Sequence, residues 1–559
     1  MTGHFRAVAA HAQAANKLRS SVISGTGFPP AIFPTRQATI RRPRIFPAYL
    51  RTPVLTAIID ARTLPAGTVL TPDLAIIGGG PAGISLALAL EGSGLKVLLL
   101  ESGGTQFNAK DQALYAGSQS GVAYTALDGG RLRFLGGGTN HWGGWCRPLD
   151  PIDFETRDWV PYSGWPFGRQ EIEPYFARAQ SLVEAGAWIY DGADGMVTDN
   201  GPMLPLDKGG VYTTWFQFSR TRGDILPTHF GLRYQDDLKR ATGVMPLFHA
   251  NVTAIRLAKD GGHVDHLDIA TLTDSGAAGT RFTVKPRYVV LACGGMENAR
   301  LLLASNDVMK PGIGNQNDMV GRFFADNPIP RDTATLVLFA GSIAGFYNNT
   351  LTLPNGVLLR AALAPTPEFA RKGGLMGSLT TVESPAALDP LGVAAVVATA
   401  QALGVDASNA KAYSLGCGIE LAPDPDRRLT LTDARDALGM PRLKLTMTVA
   451  DSDFTHYRRT MSELGRQLLA SRTGMIRLTY DKREEWLANM DWGNHHLGTT
   501  RMSADPKSGV VDAQSQVHGV ANLYVAGSSV FPTYGASNPT LNLVALTLRL
   551  GDHLKKVMA

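Results

Sequence analysis

At 559 residues, with 44% hydrophobic and 18% charged residues, the chain is too long for one compact core and has the make-up of a globular protein, not of a disordered or fibrous one. Its formal charge of +5 originates in residues 1–59, where Arg6, Lys17, Arg19, Arg36, Arg41, Arg42, Arg44 and Arg51 meet no Asp or Glu; the rest carries slightly more acid than base. The charge therefore gives no support for a nucleic-acid partner.

Residues 1–57 read as a basic leader. The segment lacks the continuous apolar core of a secretory signal, and Arg41-Arg42 is followed by Pro43 and Arg44, so export is not supported and a cytoplasmic location is expected. An organelle transit peptide, an upstream start codon and a disordered tail all stay open for it. Folding is expected to begin near Ile58.

Asp73 to Ile77 is an apolar run of strand length, followed by Gly78, Gly80 and Gly83 at GxGxxG spacing. Ile84 to Glu91 then reads as a helix, and Lys96 to Leu100 as a second buried strand ending in Glu101. In such a βαβ unit the first glycine permits a tight turn. The second lets backbone approach a pyrophosphate at a helix N-terminus, and the third lets helix and strand pack closely. Glu101 would accept from an adenosine ribose. These residues leave NAD and FAD undistinguished. Farther on, Arg287 to Gly295 and Asn522 to Gly527 each look like a buried strand ending at glycine, as in a nucleotide fold interrupted by long insertions.

Cys146, Cys293 and Cys417 show no CxxC or CxxCH spacing, which argues against disulfides, iron–sulfur clusters and attached haem; no metal ligands stand out. The apolar run Leu391 to Val405 is interrupted by Thr399 and Gln401 and falls short of the ~20 residues that cross a bilayer. It reads as a buried or partner-facing helix, so no membrane span is expected.

Three further blocks carry a resemblance: Gly136 to Gly144 (GGGTNHWGG), Ala292 to Arg300 (ACGGMENAR), and His495 to Leu554. With them the chain resembles the glucose–methanol–choline (GMC) flavin oxidoreductases, most nearly the branch of pyranose oxidase and the fructose and gluconate dehydrogenase large subunits. The resemblance runs from about Ile58 to the C-terminus. It implies FAD and a mixed α/β and α+β architecture: an interrupted Rossmann-like flavin domain with an inserted substrate domain of antiparallel sheet plus helices. The expected flavin segments are 58–150, 245–325 and 495–559, and the substrate segments 151–244 and 326–494.

By the same resemblance His495, not His496, is the catalytic base, and Asn538 the polar residue that helps hold the substrate oxygen. Imidazole suits the first task because it is largely neutral near pH 7. Asn538 also reads as the cap of a helix with Pro539 and Thr540 in its first turn, whose positive end could face the flavin pyrimidine ring. By the same resemblance Asn140, His141 and Trp142 would contact the cofactor, and His141, immediately before Trp142, stands where some relatives bond the flavin 8α-methyl covalently; Asn140 departs from their sequence, so attached and unattached FAD both stay open. Gly137 and Gly143 would let backbone approach the ring, Arg131 would brace the pyrophosphate or line the loop, Val252 would contact adenine through its backbone, and Gly527 would close a returning strand over the cofactor.

Trp159, Trp165, Tyr347, Tyr413 and Tyr534 are candidates for stacking on a sugar, although scattered aromatics are more often core. The expected activity is oxidation of a CH–OH group of a sugar, glycoside or polyol to a carbonyl, with electrons passed to O2 or an external acceptor. A homo-oligomer and an electron-transfer subunit are conceivable partners. Oxidation of a non-sugar alcohol, a lyase that uses FAD structurally, and a non-catalytic nucleotide-binding subunit are the alternatives.

Overall fold

A computed structural model describes residues 58–207, 209–220 and 227–559; the leader falls outside the described residues. The nucleotide-binding part is built from β1 (Ile59–Asp60), β2 (Leu74–Ile77), α1 (Pro81–Ala89), β3 (Val97–Leu100), β4 (Val244–Phe248), β5 (Tyr288–Leu291), α2 (Gly294–Ala304), β6 (Leu523–Val525) and α3 (Pro539–Val557). Its six strands pair in the order β1-β4-β3-β2-β5-β6, every pair parallel. All four residues of β2 and all four of β3 are buried, which is why they read as unbroken apolar runs: a parallel sheet is covered on both faces. On one face α3 packs along α1.

The second part is an eight-stranded antiparallel sheet. Its main path runs Gly474–Leu478, Ala334–Leu338, Lys411–Ile419, Ser378–Pro385, Leu358–Pro365, Val211–Phe218 and Trp145–Cys146, with Leu351–Thr352 beside Leu358–Pro365. Trp145–Cys146 thus leaves the first flavin segment to join the substrate sheet. The helix Asp451–Ala470 lies on this sheet through Tyr457, Met461, Leu464 and Leu468, an apolar stripe at helical spacing. The architecture is an interrupted Rossmann-like domain with an inserted sheet-and-helix domain.

The helix Pro390–Leu403 corrects one half of an expectation. It is not buried: only Gly392, Val396 and Ala400 are covered, while Leu391 is 73% exposed. It rests on the sheet's outer side, which needs just one stripe of it. Among the described residues no helix is long and apolar enough to cross a membrane.

Candidate active site

The carboxyl ends of β2, β3, β5 and β6 open on a cavity of about 630 Å³, where a parallel sheet presents its ligand site and within the roughly 300–1,000 Å³ usual for one. Gly78, Gly80, Glu101, Arg131, Gly137, His141, Trp142, Gly143, Val252, Gly527, Pro539 and Thr540 line it, together with His495 and Asn538. Gly83 and Asn140 do not. Gly83 does the packing expected of it, since a methyl group there would stand 1.8 Å from the Gly78 carbonyl oxygen. Asn140 staples its own loop, its Nδ2 donating to the carbonyls of Leu135 (2.9 Å) and Gly137 (3.1 Å); a direct cofactor contact through this side chain is corrected accordingly.

Gly78 has φ +111°, and a methyl group on it would meet the Ala292 carbonyl oxygen at 2.5 Å, so the turn after β2 requires glycine. Gly80 has open space where a side chain would be, and it precedes Pro81 at the start of α1 with no side chain capping the helix. The first N–H groups of α1 are therefore free to meet an anion. Glu101 holds this loop from the other side, accepting from Gly79 N and Gly103 N at 2.8 Å each.

Arg131 is committed to the protein. Its Nε donates to Leu127 O (2.7 Å), Nη1 to Glu297 Oε1 (2.9 Å) and Nη2 to Tyr115 O (3.0 Å), with the guanidinium 3.9 Å from the centre of the Tyr115 ring. A role in bracing a pyrophosphate gives way to one in building the wall. Glu297 is the hub: Arg133 and Arg300 reach it at 3.4 and 3.2 Å, and Arg300 also pairs with Asp436 at 2.7 Å. Burial alone would raise the Glu297 pKa, but Arg300, Arg131 and Arg133 outweigh it and bring it to about 2. Arg133, also on the cavity wall, keeps an Nε with no hydrogen-bond partner among the described residues.

At the opposite wall His495 Nε2 lies 3.2 Å from Asn538 Nδ2, and its Nδ1 lies 2.8 Å from Asn327 Oδ1. Asn538 occupies the N-cap position of α3, yet its side chain makes no capping bond, which corrects the reading of it as a cap: the amide is turned to the histidine instead. The start of α3 still faces the cavity through Pro539 and Thr540. Behind His495 the buried Asp326 carboxylate gathers four donors. Oδ1 accepts from His495 N (2.8 Å) and Asn327 N (2.7 Å), Oδ2 from Asn494 N (2.9 Å) and the Tyr124 hydroxyl (2.6 Å). Burial pushes Asp326 up to about 6 despite them, and pushes His495 down to about 4. His496 falls to about 3 through burial first, then Arg131, His495 and His141. Both ring systems are therefore neutral at pH 7.

Asp326 and Asn327 escaped the sequence reading. Both lie in an Ala-Asp-Asn-Pro run with no spacing signal, and their partners are far away in the chain. Conversely, none of Trp159, Trp165, Tyr347, Tyr413 and Tyr534 lines the cavity. Trp165, Tyr347, Tyr413 and Tyr534 are buried core residues, and Trp159 donates its indole N–H to Leu375 O at 3.0 Å. The aromatic rings on the cavity wall are Tyr115, Trp142 and Trp145.

These walls fit a flavin dinucleotide. The glycine loop and the free start of α1 suit a pyrophosphate, Glu101 a ribose, the Val252 strand edge an adenine, and the far end, between Gly143 and α3, a flat ring beside His495. Comparisons agree. Residues 73–315 match the FAD dependent oxidoreductase family and residues 423–547 the GMC oxidoreductase family. The chain is 26% identical to the fructose dehydrogenase large subunit of Gluconobacter japonicus, over 86% of this chain and 97% of that one. It is 25% identical to the 6'''-hydroxyparomomycin C oxidase of Streptomyces lividus, over 85% and 90%. In fold it is similar to formate oxidase, with a TM-score of 0.54 at 16% identity, covering 89% of this chain and all of that one. The chain is an FAD-dependent oxidoreductase, and these matches support the GMC family for it.

Proposed function

We propose that the protein oxidises a CH–OH group of a sugar, glycoside or polyol to a carbonyl. FAD, when bound, would supply the hydride acceptor, at its N5, and the route of the electrons to O2 or an external acceptor. The protein's own part is to place and deprotonate the alcohol. His495 Nε2 takes the hydroxyl proton, and the Asn538 amide, 3.2 Å from it, holds the same oxygen so that the carbon is presented to the ring. The start of α3 sets its positive end where negative charge develops.

The observation that carries this reading is the His495–Asn538 pair on the wall of a dinucleotide-sized cavity. The names of the two relatives, which give fructose and 6'''-hydroxyparomomycin C as the compounds oxidised, support a carbohydrate substrate. We test it by anaerobic mixing of the yellow holoprotein with monosaccharides, glycosides and polyols. Oxidation bleaches the flavin, and His495→Ala slows bleaching by roughly 10²–10⁴-fold. A flavin that keeps its colour with every alcohol would leave a lyase or a non-catalytic role. Repeating the screen with a dye, with and without air, separates an oxidase from a dehydrogenase that needs a partner acceptor.

The FAD is further proposed to be linked through His141. This residue lines the cavity, and desolvation of its ring by the surrounding wall, with His229 nearby, lowers its pKa and favours the unprotonated nitrogen. The adjacent Trp142 is anchored by its indole N–H to Thr228 O at 3.1 Å. After acid precipitation, colour in the pellet supports the link and colour in the supernatant refutes it.

A further inference from the structure

We propose that Asn327 is a positioning residue that fixes the ring tautomer of His495, so that the lone pair stands on the nitrogen facing the cavity. This rests on the reading of His495 Nε2 as the base. The Asn327 side chain is buried, and its Nδ2 lies 3.0 Å from the Ile419 carbonyl oxygen and 3.3 Å from that of Gly535. Carbonyl oxygens only accept, so two of them at one end of the amide identify that end as the NH2 group. The other end, Oδ1, is then the atom 2.8 Å from His495 Nδ1. An amide oxygen cannot donate, so Nδ1 must carry the proton and the neutral ring has its lone pair on Nε2.

The far side of the ring agrees with this assignment. Asn538 Nδ2, 3.2 Å from Nε2, is a donor, and a donor meets a lone pair. The frame is rigid as well, because Asp326 Oδ1 accepts from the backbone N–H of both Asn327 and His495, at 2.7 and 2.8 Å. Were the proton on Nε2 instead, the ring would present a donor to the substrate hydroxyl and could not take its proton. Thus Asn327, which touches neither the cavity nor the reacting atoms, decides whether His495 can be a base.

The test is solid-state ¹⁵N NMR of the holoprotein labelled at histidine, at pH 7, with the His495 signals assigned by their absence in His495→Ala. In the wild type, Nδ1 is expected at a protonated-nitrogen shift and Nε2 at an unprotonated one; the reverse pattern overturns the proposal whatever Asn327→Ala does. In Asn327→Ala the pattern should mix or invert, and anaerobic flavin bleaching by fructose and glucose should slow roughly 10²-fold. Asn327→Asp, which keeps an acceptor for Nδ1, should restore the pattern and part of the rate. An Asn327→Ala protein with the wild-type pattern and rate refutes the role of Asn327. If instead His495→Ala bleaches as fast as wild type, the base assignment fails while the tautomer assignment stands.

Discussion

Replacing Glu297 by Gln removes one charge from the centre of three guanidinium groups and leaves its shape. The carboxylate is 8% exposed and pairs with Arg131, Arg300 and Arg133 at 2.9, 3.2 and 3.4 Å. The fall in its pKa from an ordinary 4.5 to about 2, at about 1.4 kcal/mol for each factor of ten in proton affinity, makes the ionised form worth about 3 kcal/mol to the fold. That matches the roughly 3–5 kcal/mol lost when one partner of a buried pair is removed, and it is a large part of a net stability of about 5–15 kcal/mol. Because the folded pKa is depressed, the contribution is complete above pH 4.5 and lost as pH falls from 4.5 toward 2. Guanidinium chloride unfolding of wild type and Glu297→Gln should therefore differ by about 3 kcal/mol at pH 7 and by less than half of that near pH 3. A difference under about 0.5 kcal/mol at pH 7, or one that does not shrink in acid, would falsify the account of this hub.

Asp326→Asn should keep the Tyr124 contact by rotation of the hydroxyl but orphan the Asn494 N–H, at about 1–3 kcal/mol, and loosen His495. The reductive rate should fall by more than the flavin content does, and equal losses in both would refute a positioning role. The acid side of the kcat/KM profile should show two steps. One is a partial decline through about pH 6 as Asp326 gains a proton and its acceptor capacity drops; the other is complete loss near pH 4 as His495 is protonated. The upper step should vanish in Asp326→Asn, and a single limb at 6.5 in both proteins would contradict the burial argument. Gly83→Ala forces a methyl to 1.8 Å from the Gly78 oxygen, so α1 must retreat from β2; soluble protein should carry little FAD by absorbance, and normal loading would show that the close approach is dispensable.

The nucleotide half was legible to within a residue or three because its signals are local. An unbroken apolar run bounded by glycine gives β2 and β3, and Ser-Asn-Pro-Thr before an apolar period gives the start of α3. The roles that escaped depend on residues distant in the chain. Asn327 meets His495 across 168 positions, and Arg131 finds Glu297 across 166, so no spacing rule could show that the first orients a base or that the second is already spoken for. Asn538 was read as a cap because sequence shows a helix start but not the neighbour that draws the amide away. The aromatic candidates failed for the opposite reason: ring chemistry is visible in sequence, but whether a ring faces a cavity is not.

The strand order β1-β4-β3-β2-β5-β6 has a consequence for how the molecule is made. β2 emerges early in synthesis, yet its neighbour β5 pairs on the outside with β6, which begins at Leu523, 235 residues after the start of β5 and 449 after that of β2. Non-local parallel pairing of this kind is slow to form, and until β6 arrives β5 presents an open, apolar edge able to recruit a foreign strand. Nascent or C-terminally nicked chains should consequently be held by chaperones or aggregate, and cofactor loading becomes one of the last events in maturation.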